Sequence, residues 1–384
     1  MSKSLKIHFV TSIPSPYQLD FFEALEAVIP GEFTVTFSAA QEIDRQYYEV
    51  PKEFGFSARI LNHKIRKLGK DFHRNPALGG VLREFPARNV IVGGSYFMPD
   101  ALTVRRHCMK TRQQLFFWGE NPSKKRDGWL KHRLKRSYLR WFLRGVDGVI
   151  AVGQAAAGQY RRLGGRGLVT TSIPYAPNLD ALLEPDETVL KLASEIRASN
   201  GVGSGVLVLY AGSLIDRKDP LTLVRSFADV VAKGHETRLL IAGEGPLRGE
   251  TESLVQALNL NDRVTLAGYL RGEQLAATYH AADVFVLPTI GHEGWGVVVQ
   301  EAMAAGLPVI ASNRVGAAVD MLAEGNAGFL FDAGNRAQLA ERMTNLIRNP
   351  EQRSASGRNA RELARNTDAR SAAARLLQFL DSHA

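Results

Sequence analysis

The chain has 384 residues, more than one ordinary hydrophobic core supports, so two domains are expected. A hydrophobic content of 45% and a charged content of 23% are typical of globular proteins and exclude a disordered chain. The single cysteine, Cys108, excludes an internal disulfide framework and fits a reducing compartment. No apolar run approaches the roughly 20 residues that span a bilayer, and the first residues lack a signal-peptide pattern, so we expect a cytoplasmic protein.

The net charge of +9 is concentrated in one stretch. Between Arg105 and Arg144 the sequence has 13 Lys and Arg, opposed by Glu120 and Asp127. Within residues 124–144 aromatic and leucine side chains alternate with these cations, which is typical of a helix on an anionic membrane and equally of a domain helix with one basic face. A second basic stretch, residues 59–74, favours the membrane. Nucleic-acid binding is a weaker alternative because no RNA- or DNA-binding motif supports it.

The first half of the chain opens with a strand at 5–11, a turn at 13–18 and a helix at 19–28. This order is typical of a doubly wound sheet. Further strands are predicted at 33–37, 57–61, 89–92, 114–118, 147–152 and 168–172. A proline-rich crossing follows at 172–178, so we predict a first domain at 1–178.

The second half repeats the layout, with predicted strands at 206–211, 237–242, 263–267, 283–287, 308–311 and 328–331. Asp219-Pro220 begins a helix, because proline suits the first helical position. We predict a second domain at 179–365 and a final helix within 366–384, which could pack back on the first domain. The predicted fold class is α/β, with two doubly wound parallel-sheet domains facing across a cleft and ligands outside the strand C-termini.

The stretch from Gly291 to Ala311 contains two carboxylates, Glu293 and Glu301, with seven residues between them. Glu293 lies in a glycine-flanked loop, whereas Glu301 lies in an otherwise apolar run that predicts a buried helix ending at Gly306. A buried glutamate needs a partner, either a ligand or a basic residue. The flexible glycines and the free N–H groups at the helix start favour an anionic ligand. A nucleotide sugar and a structural ion pair both satisfy this pattern.

Three more loops follow predicted strands in the second half. The first, 212–219, presents Arg217 and Lys218, which either hold a diphosphate or form a solvated pair. The second, 243–246, is a glycine-rich turn that lets its backbone approach a ligand. In the third, 268–272, Tyr269 either lies near a base or packs on its own loop, and we count Tyr269 and Leu270 as binding candidates.

Together these loops resemble one family. Five segments look like the C-terminal domain of the retaining glycosyltransferases of family four, in the family's order and spacing: Gly212-Ser-Leu-x-x-Arg-Lys218, Ala242-Gly-Glu-Gly-Pro246, Val264-x-x-x-Gly268, Ala282-Asp-Val-Phe-Val-Leu-Pro288 and Glu293-Gly-Trp-Gly-x-x-x-x-Glu-Ala-Met-Ala-x-Gly-x-Pro-Val-Ile-Ala311. The resemblance is specific over residues 206–331 and looser over 1–178. It implies the GT-B fold, in which the second of two Rossmann-like domains holds most of the nucleotide sugar.

Carried over by position, the resemblance implies that Glu301 binds the ribose hydroxyls and Glu293 the hydroxyls of the donor sugar. It assigns the diphosphate to Arg217 and Lys218, which would also act in catalysis together with Glu293. The remaining donor-binding residues that it implies are Gly212, Ser213, Gly243, Glu244, Tyr269, Leu270, Glu301 and the amides of Gly294, Trp295, Gly296 and Val297. Ser213 is a departure, because the family often has arginine there, and Arg217 is expected to compensate.

The resemblance assigns acceptor binding to the first half of the chain. The family's usual Gly-Gly of the first loop is replaced by Pro14-Ser-Pro-Tyr-Gln18, so Tyr17 and Gln18 either touch a substrate or form a packed turn. Glu120 follows a strand and is either a polar residue of the cleft or a helix cap. His107 and His132 lie among basic residues and fit surface histidines better than a catalytic base.

The sequence therefore predicts a metal-independent, retaining glycosyltransferase without a cofactor. It would move a sugar from a nucleotide diphosphate, UDP before GDP, to a hydroxyl of a glycan or lipid-linked acceptor in cell-surface polysaccharide or glycolipid synthesis. Two alternatives stay open: a GT-B sugar-nucleotide epimerase and a non-catalytic, transferase-like scaffold. A dehydrogenase is excluded because no Gly-x-Gly-x-x-Gly follows the first strand. Nucleic acid is not an expected partner, and for residues 124–144 peripheral contact with an anionic membrane and a domain helix with a basic face both stay open.

Overall fold

The computed structural model describes residues 6–41, 50–61, 64–67, 70–122, 129–165, 167–322 and 326–383. The chain divides into two compact units. Unit 1 comprises Met1–Pro177 together with Ala369–Ala384, and unit 2 comprises Asn178–Asp368. The last helix of the chain therefore belongs to the unit that contains the first strand.

Unit 1 is built on a parallel sheet. Its described strands are β1 (Ile7–Thr11), β2 (Phe33–Phe37), β3 (Ala58–Ile60), β4 (Lys64–Lys67), β5 (Lys70–His73), β6 (Asn89–Gly93), β7 (Gln114–Gly119), β8 (Gly148–Ala151) and β9 (Val169–Ser172). Its helices are α1 (Pro16–Val28), α2 (Leu78–Glu84), α3 (Pro99–Thr111), α4 (Trp129–Leu143), α5 (Gln154–Gly164) and, at the chain's end, α15 (Ala369–Asp381). Seven strands form the sheet in the order β3-β2-β1-β6-β7-β8-β9, and β4 and β5 form a separate antiparallel hairpin.

Successive residues of the unit 1 strands enter two different buried layers. Phe9 and Ile91 pack in one layer with α1 and α15, whereas Val10 and Val92 pack in the other with helices α2 to α5. Side chains of a strand point alternately to its two faces, so these nearly continuous apolar strands need helices on both sides. In unit 1, α1 and α15 cover one face of the sheet, and α2 to α5 cover the other.

Unit 2 repeats this construction. Its strands are β10 (Val206–Ala211), β11 (Thr237–Ala242), β12 (Val264–Gly268), β13 (Val284–Leu287), β14 (Val309–Ser312) and β15 (Gly328–Phe331). Its helices are α6 (Asp180–Leu183), α7 (Glu187–Ser199), α8 (Pro220–Val231), α9 (Arg248–Ala257), α10 (Gly272–Ala281), α11 (Val297–Ala304), α12 (Gly316–Met321), α13 (Arg336–Arg348) and α14 (Pro350–Ala364). The six strands are parallel, in the order β12-β11-β10-β13-β14-β15.

Both sheets reverse their winding direction beside their first strand. In unit 1 the reversal lies between β1 and β6, and in unit 2 it lies between β10 and β13. At such a topological switch point the loops that leave neighbouring strands diverge, which opens a crevice at the strand C-termini. The predicted doubly wound α/β class is therefore observed in both units, and it places one crevice in each.

Two local features differ from the sequence-based prediction. Helix α1 begins at Pro16, not at residue 19, because proline is preorganised for the first helical position and Ser15 precedes it in extended conformation. Tyr17 and Gln18 consequently lie in the first helical turn. The β4–β5 hairpin was not predicted, because each of its four-residue, lysine-containing strands has only one β-branched or aromatic residue, Ile65 or Phe72, to signal a strand.

Candidate active site

The switch point of unit 2 brings together the loops that follow β10 and β13. The loop after β10 ends in a short 3-10 turn, Asp216–Lys218, and the carbonyl of Arg217 accepts hydrogen bonds from the amides of Ile290 (2.9 Å) and Gly291 (3.2 Å). A Cβ at Gly291 would overlap Cγ of Arg217, so only glycine permits this approach. The two loops therefore form one surface at the edge of the sheet.

Glu293 lies at the centre of this surface. Nζ of Lys218 donates to its Oε1, Oγ1 of Thr289 donates to its Oε2 at 2.9 Å, and a guanidinium nitrogen of Arg217 lies 3.6 Å from Oε2. The Lys218 side chain is 8% exposed, and that of Arg217 is 43% exposed. The structure therefore excludes a solvated pair for Lys218, which is buried against Glu293.

The charge state of Glu293 follows from this environment. Burial raises the pKa of its carboxyl, but the charge and hydrogen bond of Lys218, then Arg217 and Thr289, outweigh burial and hold the pKa below its ordinary value. Glu293 is accordingly ionised at neutral pH. Two cations and one carboxylate leave an excess of one positive charge, which favours a dianionic ligand such as a diphosphate.

Glu301 lies on α11, the helix predicted from its apolar pattern. Neighbouring positions Val299, Ala302 and Met303 are fully buried, and Glu301 itself is half-buried. The hydroxyl of Tyr279 on α10 donates to Oε2 of Glu301 at 2.7 Å. Burial and then the charge of Glu301 raise the pKa of the Tyr279 phenol well above its ordinary value, so Tyr279 stays a donor at any working pH. A buried neutral donor is thus one partner of Glu301.

The start of α11 presents backbone amides beside these carboxylates. Gly296 caps the helix in left-handed conformation (φ 96°), and no side chain caps it. The indole of Trp295 is buried and donates to Oε1 of Gln300 at 2.6 Å, so Trp295 can offer a ligand only its backbone. The amides of Gly294, Gly296 and Val297 lie on the same short segment, where the helix dipole favours an anion.

The glycine-rich loop after β11 packs backbone to backbone against the loop after β10. A Cβ at Gly243 would overlap the carbonyl oxygen of Gly212, and a Cβ at Gly245 that of Leu214. The Leu214 amide donates to the carbonyl of Glu244 at 2.8 Å. These glycines are therefore required for close approach of the two loops.

Some of the residues predicted to line the nucleotide pocket lie in or beside these two loops. The Glu244 carboxylate pairs with Arg248 at 2.5 Å, and Oε1 of Glu244 lies within 3.1 Å of the position that a Cβ of Gly268 would take. Tyr269 is 49% exposed, which is inconsistent with tight loop packing, and Leu270 is half-buried. Ser213 accepts a hydrogen bond at its carbonyl from the hydroxyl of Tyr210 (2.9 Å).

The switch point of unit 1 contains a pocket of different character. Tyr17, Gln18, Gly93, Trp118 and Tyr175 lie at its rim, and core phenylalanines form its floor. The rings of Tyr17 and Tyr175 are 4.6 Å apart between centroids, and the Gln18 amide nitrogen donates to Oγ1 of Thr11 at 2.8 Å. The structure thus brings Tyr17 and Gln18 together in one pocket.

Glu120 is not among the residues that line this pocket. It follows β7, its side chain is half-buried, and its carbonyl accepts a hydrogen bond from the Tyr160 hydroxyl at 2.7 Å. The sequence analysis also missed residues that the structure brings into the two crevices: Trp118 and Tyr175 in unit 1, and Thr289 and Tyr279 in unit 2. Thr289 follows the Leu287-Pro288 end of β13, a position that could have indicated its role.

The predicted membrane segment, residues 124–144, falls partly outside the described residues, since 123–128 and the side chains of 129–132 are not described. In the described part of α4, Leu139, Phe142 and Leu143 are buried in the core, whereas Leu134 is 64% exposed and Trp141 45% exposed. The Arg105 guanidinium lies 4.1 Å from the centroid of the Trp141 ring. Among the described helices, none has the length and apolar character needed to cross a bilayer.

Comparison with known proteins finds a family match that covers most of unit 2. Residues 193–363 match the family model described as glycosyl transferases group 1. The sulfoquinovosyl transferase SQD2 of Arabidopsis thaliana is 34% identical over 184 residues, which cover 47% of this chain and 34% of that protein. A GDP-mannose-dependent α-(1-6)-phosphatidylinositol monomannoside mannosyltransferase of Mycobacterium tuberculosis is 27% identical over 241 residues, 61% of each chain. Both matches span less than two thirds of the relative's own length.

Among solved structures, Anabaena HepE in complex with UDP superimposes with a TM-score of 0.78 at 19% identity, covering 98% of this chain and 100% of that chain. At this identity the likeness concerns the fold alone. Together with the parallel sheets of six and seven strands, it confirms the predicted GT-B fold class.

Proposed function

We propose that this chain, whose residues 193–363 match the group 1 glycosyl transferases, transfers a sugar from a nucleotide diphosphate sugar to an acceptor hydroxyl. One observation supports the proposal above all: Lys218, Arg217 and Glu293 converge at the switch point of unit 2. A positive excess beside an ionised carboxylate suits a ligand that carries a diphosphate at one end and hydroxyls at the other.

The residues of unit 2 would divide the donor between them. Arg217 and Lys218 would hold the diphosphate and stabilise the negative charge that grows on it as it leaves. Glu293 would accept hydrogen bonds from the sugar hydroxyls, and Glu301, oriented by Tyr279, from the ribose hydroxyls. Tyr269, which is half-exposed, would meet the base.

We further propose a retaining, metal-independent transfer. The bond between the anomeric carbon and the diphosphate oxygen breaks while the acceptor oxygen bonds to the same carbon on the same face. The acceptor proton passes to an oxygen of the departing diphosphate. Lys218 and Arg217 supply fixed positive charge at that diphosphate, the role that a divalent cation fills elsewhere.

The donor is proposed to be a UDP-sugar before a GDP-sugar. The solved HepE complex contains UDP, which supports this choice by likeness of fold, whereas the mycobacterial relative is named as GDP-mannose-dependent. The acceptor is proposed to be a glycan or a lipid-linked glycan held by unit 1, in cell-surface polysaccharide or glycolipid synthesis at the cytoplasmic face of a membrane. The exposed Trp141 and Leu134 on the basic helix α4 support peripheral contact with anionic lipid.

The proposed function is tested by calorimetric titration of UDP and GDP, followed by product analysis with the matching sugar nucleotides in the presence of EDTA. Glu301→Ala is expected to abolish measurable nucleotide binding, and Glu293→Ala to abolish transfer while the nucleotide still binds. Retention of full transfer in both variants would overturn the proposal. Conversion of the donor sugar without any acceptor would identify an epimerase instead. Sedimentation with anionic and neutral vesicles at two salt concentrations tests the membrane contact.

A further inference from the structure

We propose that the rim of the unit 1 pocket between the ends of β1 and β6 binds one face of an uncharged, hydroxylated six-membered ring of the acceptor. This inference rests on the proposed function, since it names the class of acceptor that the other substrate site would take. Four observations support it: the absence of charge in the pocket, its fixed aromatic surface, one oriented amide at its rim, and glycine backbone open to close approach.

The first observation concerns charge. Unit 1 contains the most basic stretch of the chain, yet among the residues that the structure describes, none that lines this pocket is Lys, Arg, His, Asp or Glu. Burying a phosphate or a carboxylate against such a lining would cost several kcal/mol without a compensating partner. The pocket therefore selects against an anionic acceptor group, in contrast with the crevice of unit 2.

The second observation concerns the aromatic surface. Tyr17 and Tyr175 are tilted by 32° at 4.6 Å, and Trp118 lies 6.5 Å from Tyr175 at 37°. Trp118 is held in place from two sides, because its indole nitrogen donates to the carbonyl of Ile173 at 3.2 Å and its ring meets Phe21 edge to face. Such a preorganised surface matches the C–H face of a saturated ring, which carries a weak positive potential toward the aromatic π-face.

The third observation concerns Gln18. Its amide nitrogen donates to Thr11, and its amide oxygen accepts from the Ser15 hydroxyl at 3.3 Å, so the side chain is fixed from both ends. A carboxamide has two N–H donors, and the bond to Thr11 uses one of them. The second is available to a ring hydroxyl at the rim of the pocket, where one oriented polar group confers specificity.

The fourth observation concerns Gly93 and Gly94. Gly94 has φ 90°, and a Cβ there would lie 2.7 Å from Oγ of Ser12, so the position requires glycine. A Cβ at Gly93 would press on the Thr11 hydroxyl at 3.2 Å. The backbone at the end of β6 is consequently bare, which lets a ligand ring approach close to the Tyr–Trp surface.

The experiment is saturation-transfer NMR on the full chain without donor. Methyl β-D-glucopyranoside is the neutral ring, methyl β-D-glucopyranosiduronate is the same ring with one carboxylate, and cyclohexylmethanol is a ring without ring hydroxyls. We expect transfer to the neutral glucoside, strongest on the protons of one ring face, and at least 5-fold less to either of the other probes. myo-Inositol as a fourth probe separates a cyclitol acceptor from a pyranose.

Two variants tie the signal to the pocket. Tyr175→Ala should weaken glucoside binding about 3- to 10-fold, the magnitude of one aromatic contact. Gln18→Glu should weaken it further by placing a charge at the rim. The control is Phe85→Ala, which removes another half-exposed aromatic of unit 1 that packs against His8 near the opposite end of β1. Equal binding of the glucuronide, or unchanged glucoside binding in Tyr175→Ala and Gln18→Glu, overturns the inference.

UDP titration of the same samples separates this inference from the proposed function. Glucoside binding without any nucleotide binding would support the ring-binding pocket and contradict the proposed transferase function. Nucleotide binding and sugar transfer with no glucoside signal would support the transferase function and contradict the ring-binding pocket.

Discussion

The crevices at the β1–β6 and β10–β13 switch points share one topology and differ in charge. In unit 2, the buried Lys218 and the exposed Arg217 flank an ionised Glu293. In unit 1, the equivalent crevice is lined by aromatic rings, one amide and bare glycine backbone. Strand order therefore determines where a ligand can bind, and the loop residues determine which ligand it is.

The difference does not follow from the overall charge of the units. The cations of unit 1 are concentrated in the stretch that forms α3 and α4, where Arg105 stacks on Trp141, and not at its switch point. The neutral pocket is thus a property of the loops after β1 and β6. Four predictions test whether the two crevices depend on charge in one unit and on neutrality in the other.

The largest effect is expected for Lys218→Ala. This change leaves the buried Glu293 carboxylate without its closest cation, which should lower the free energy of unfolding of unit 2 by about 3–5 kcal/mol and abolish transfer. Hydrogen exchange followed by mass spectrometry measures the loss separately in each unit. Arg217→Ala is the control, because Arg217 is 43% exposed and should cost about 1 kcal/mol or less. Similar losses of unfolding free energy in Lys218→Ala and Arg217→Ala would contradict the burial argument. The double variant Lys218→Met and Glu293→Gln, which removes both charges, should recover stability but not activity.

The second prediction concerns acid sensitivity of unit 1. Burial lowers the pKa of His8 from 6.5 to about 4, and the ring nitrogen Nε2 lies 2.8 Å from Oγ1 of Thr36. The folded state favours neutral His8, so its contribution is complete above pH 6.5 and is lost as the pH falls toward 4. The expected loss is about 3 kcal/mol, confined to unit 1.

Unit 2 should respond at lower pH, because the pKa of Glu293 is held below its ordinary value and its stabilisation persists until the pH falls through that lowered value. Hydrogen exchange between pH 7 and pH 4 compares peptides of the two sheets. His8→Gln, which keeps polar atoms but cannot titrate in this range, should flatten the response of unit 1. Parallel acid profiles in both units would show that His8 does not carry the effect.

These predictions rest on contacts that the sequence indicated only in part. Periodicity and turn residues were sufficient for the strands of both sheets, for α11 and for its end near Gly306, since each depends on neighbours along the chain. Arg217 and Lys218 look equivalent in sequence, and only tertiary packing buries one and exposes the other. Tyr279 lies 22 residues before Glu301, on a different helix, so no local pattern joins them.

The unit 1 pocket was anticipated through Tyr17 and Gln18 but not through its other walls. Tyr175 lies in a proline-rich crossing that the sequence marked as a domain junction, and Trp118 was visible only as the end of a strand. Parallel pairing of β1 with β6 and of β6 with β7 is what brings these segments together. Glu120, in contrast, lies just beyond Gly119, the last residue of the strand that contains Trp118, and it is not among the described residues that line the pocket.

The third prediction concerns the partner of Glu301. Tyr279→Phe removes the donated hydrogen bond and keeps the ring, which packs 5.9 Å from Phe285. A hydrogen bond to a charged acceptor contributes about 1.5–3 kcal/mol, so nucleotide affinity should fall by roughly tenfold or more with the fold intact. Calorimetric titration of UDP measures this. Tyr160→Phe is the matched control in unit 1, since Tyr160 is equally buried and donates to a backbone carbonyl. Equal UDP affinities for wild type and Tyr279→Phe would exclude an orienting role.

The smallest effect is expected for Thr289→Val, which keeps the shape of the side chain and removes the hydroxyl that donates to Oε2 of Glu293. Lys218 still holds the other carboxylate oxygen, and the hydroxyl of Ser312 still donates to the Thr289 carbonyl, so the loop should keep its course. The expected cost is about 1 kcal/mol, seen as an approximately fivefold fall in kcat with a smaller change in the KM for the sugar nucleotide. Thr289→Ser, which restores the donor, should recover kcat. If Thr289→Val instead raises KM alone, the orientation of the Glu293 carboxylate does not matter for the chemical step. The charged crevice of unit 2 would then need less exact positioning of its side chains than the aromatic pocket of unit 1.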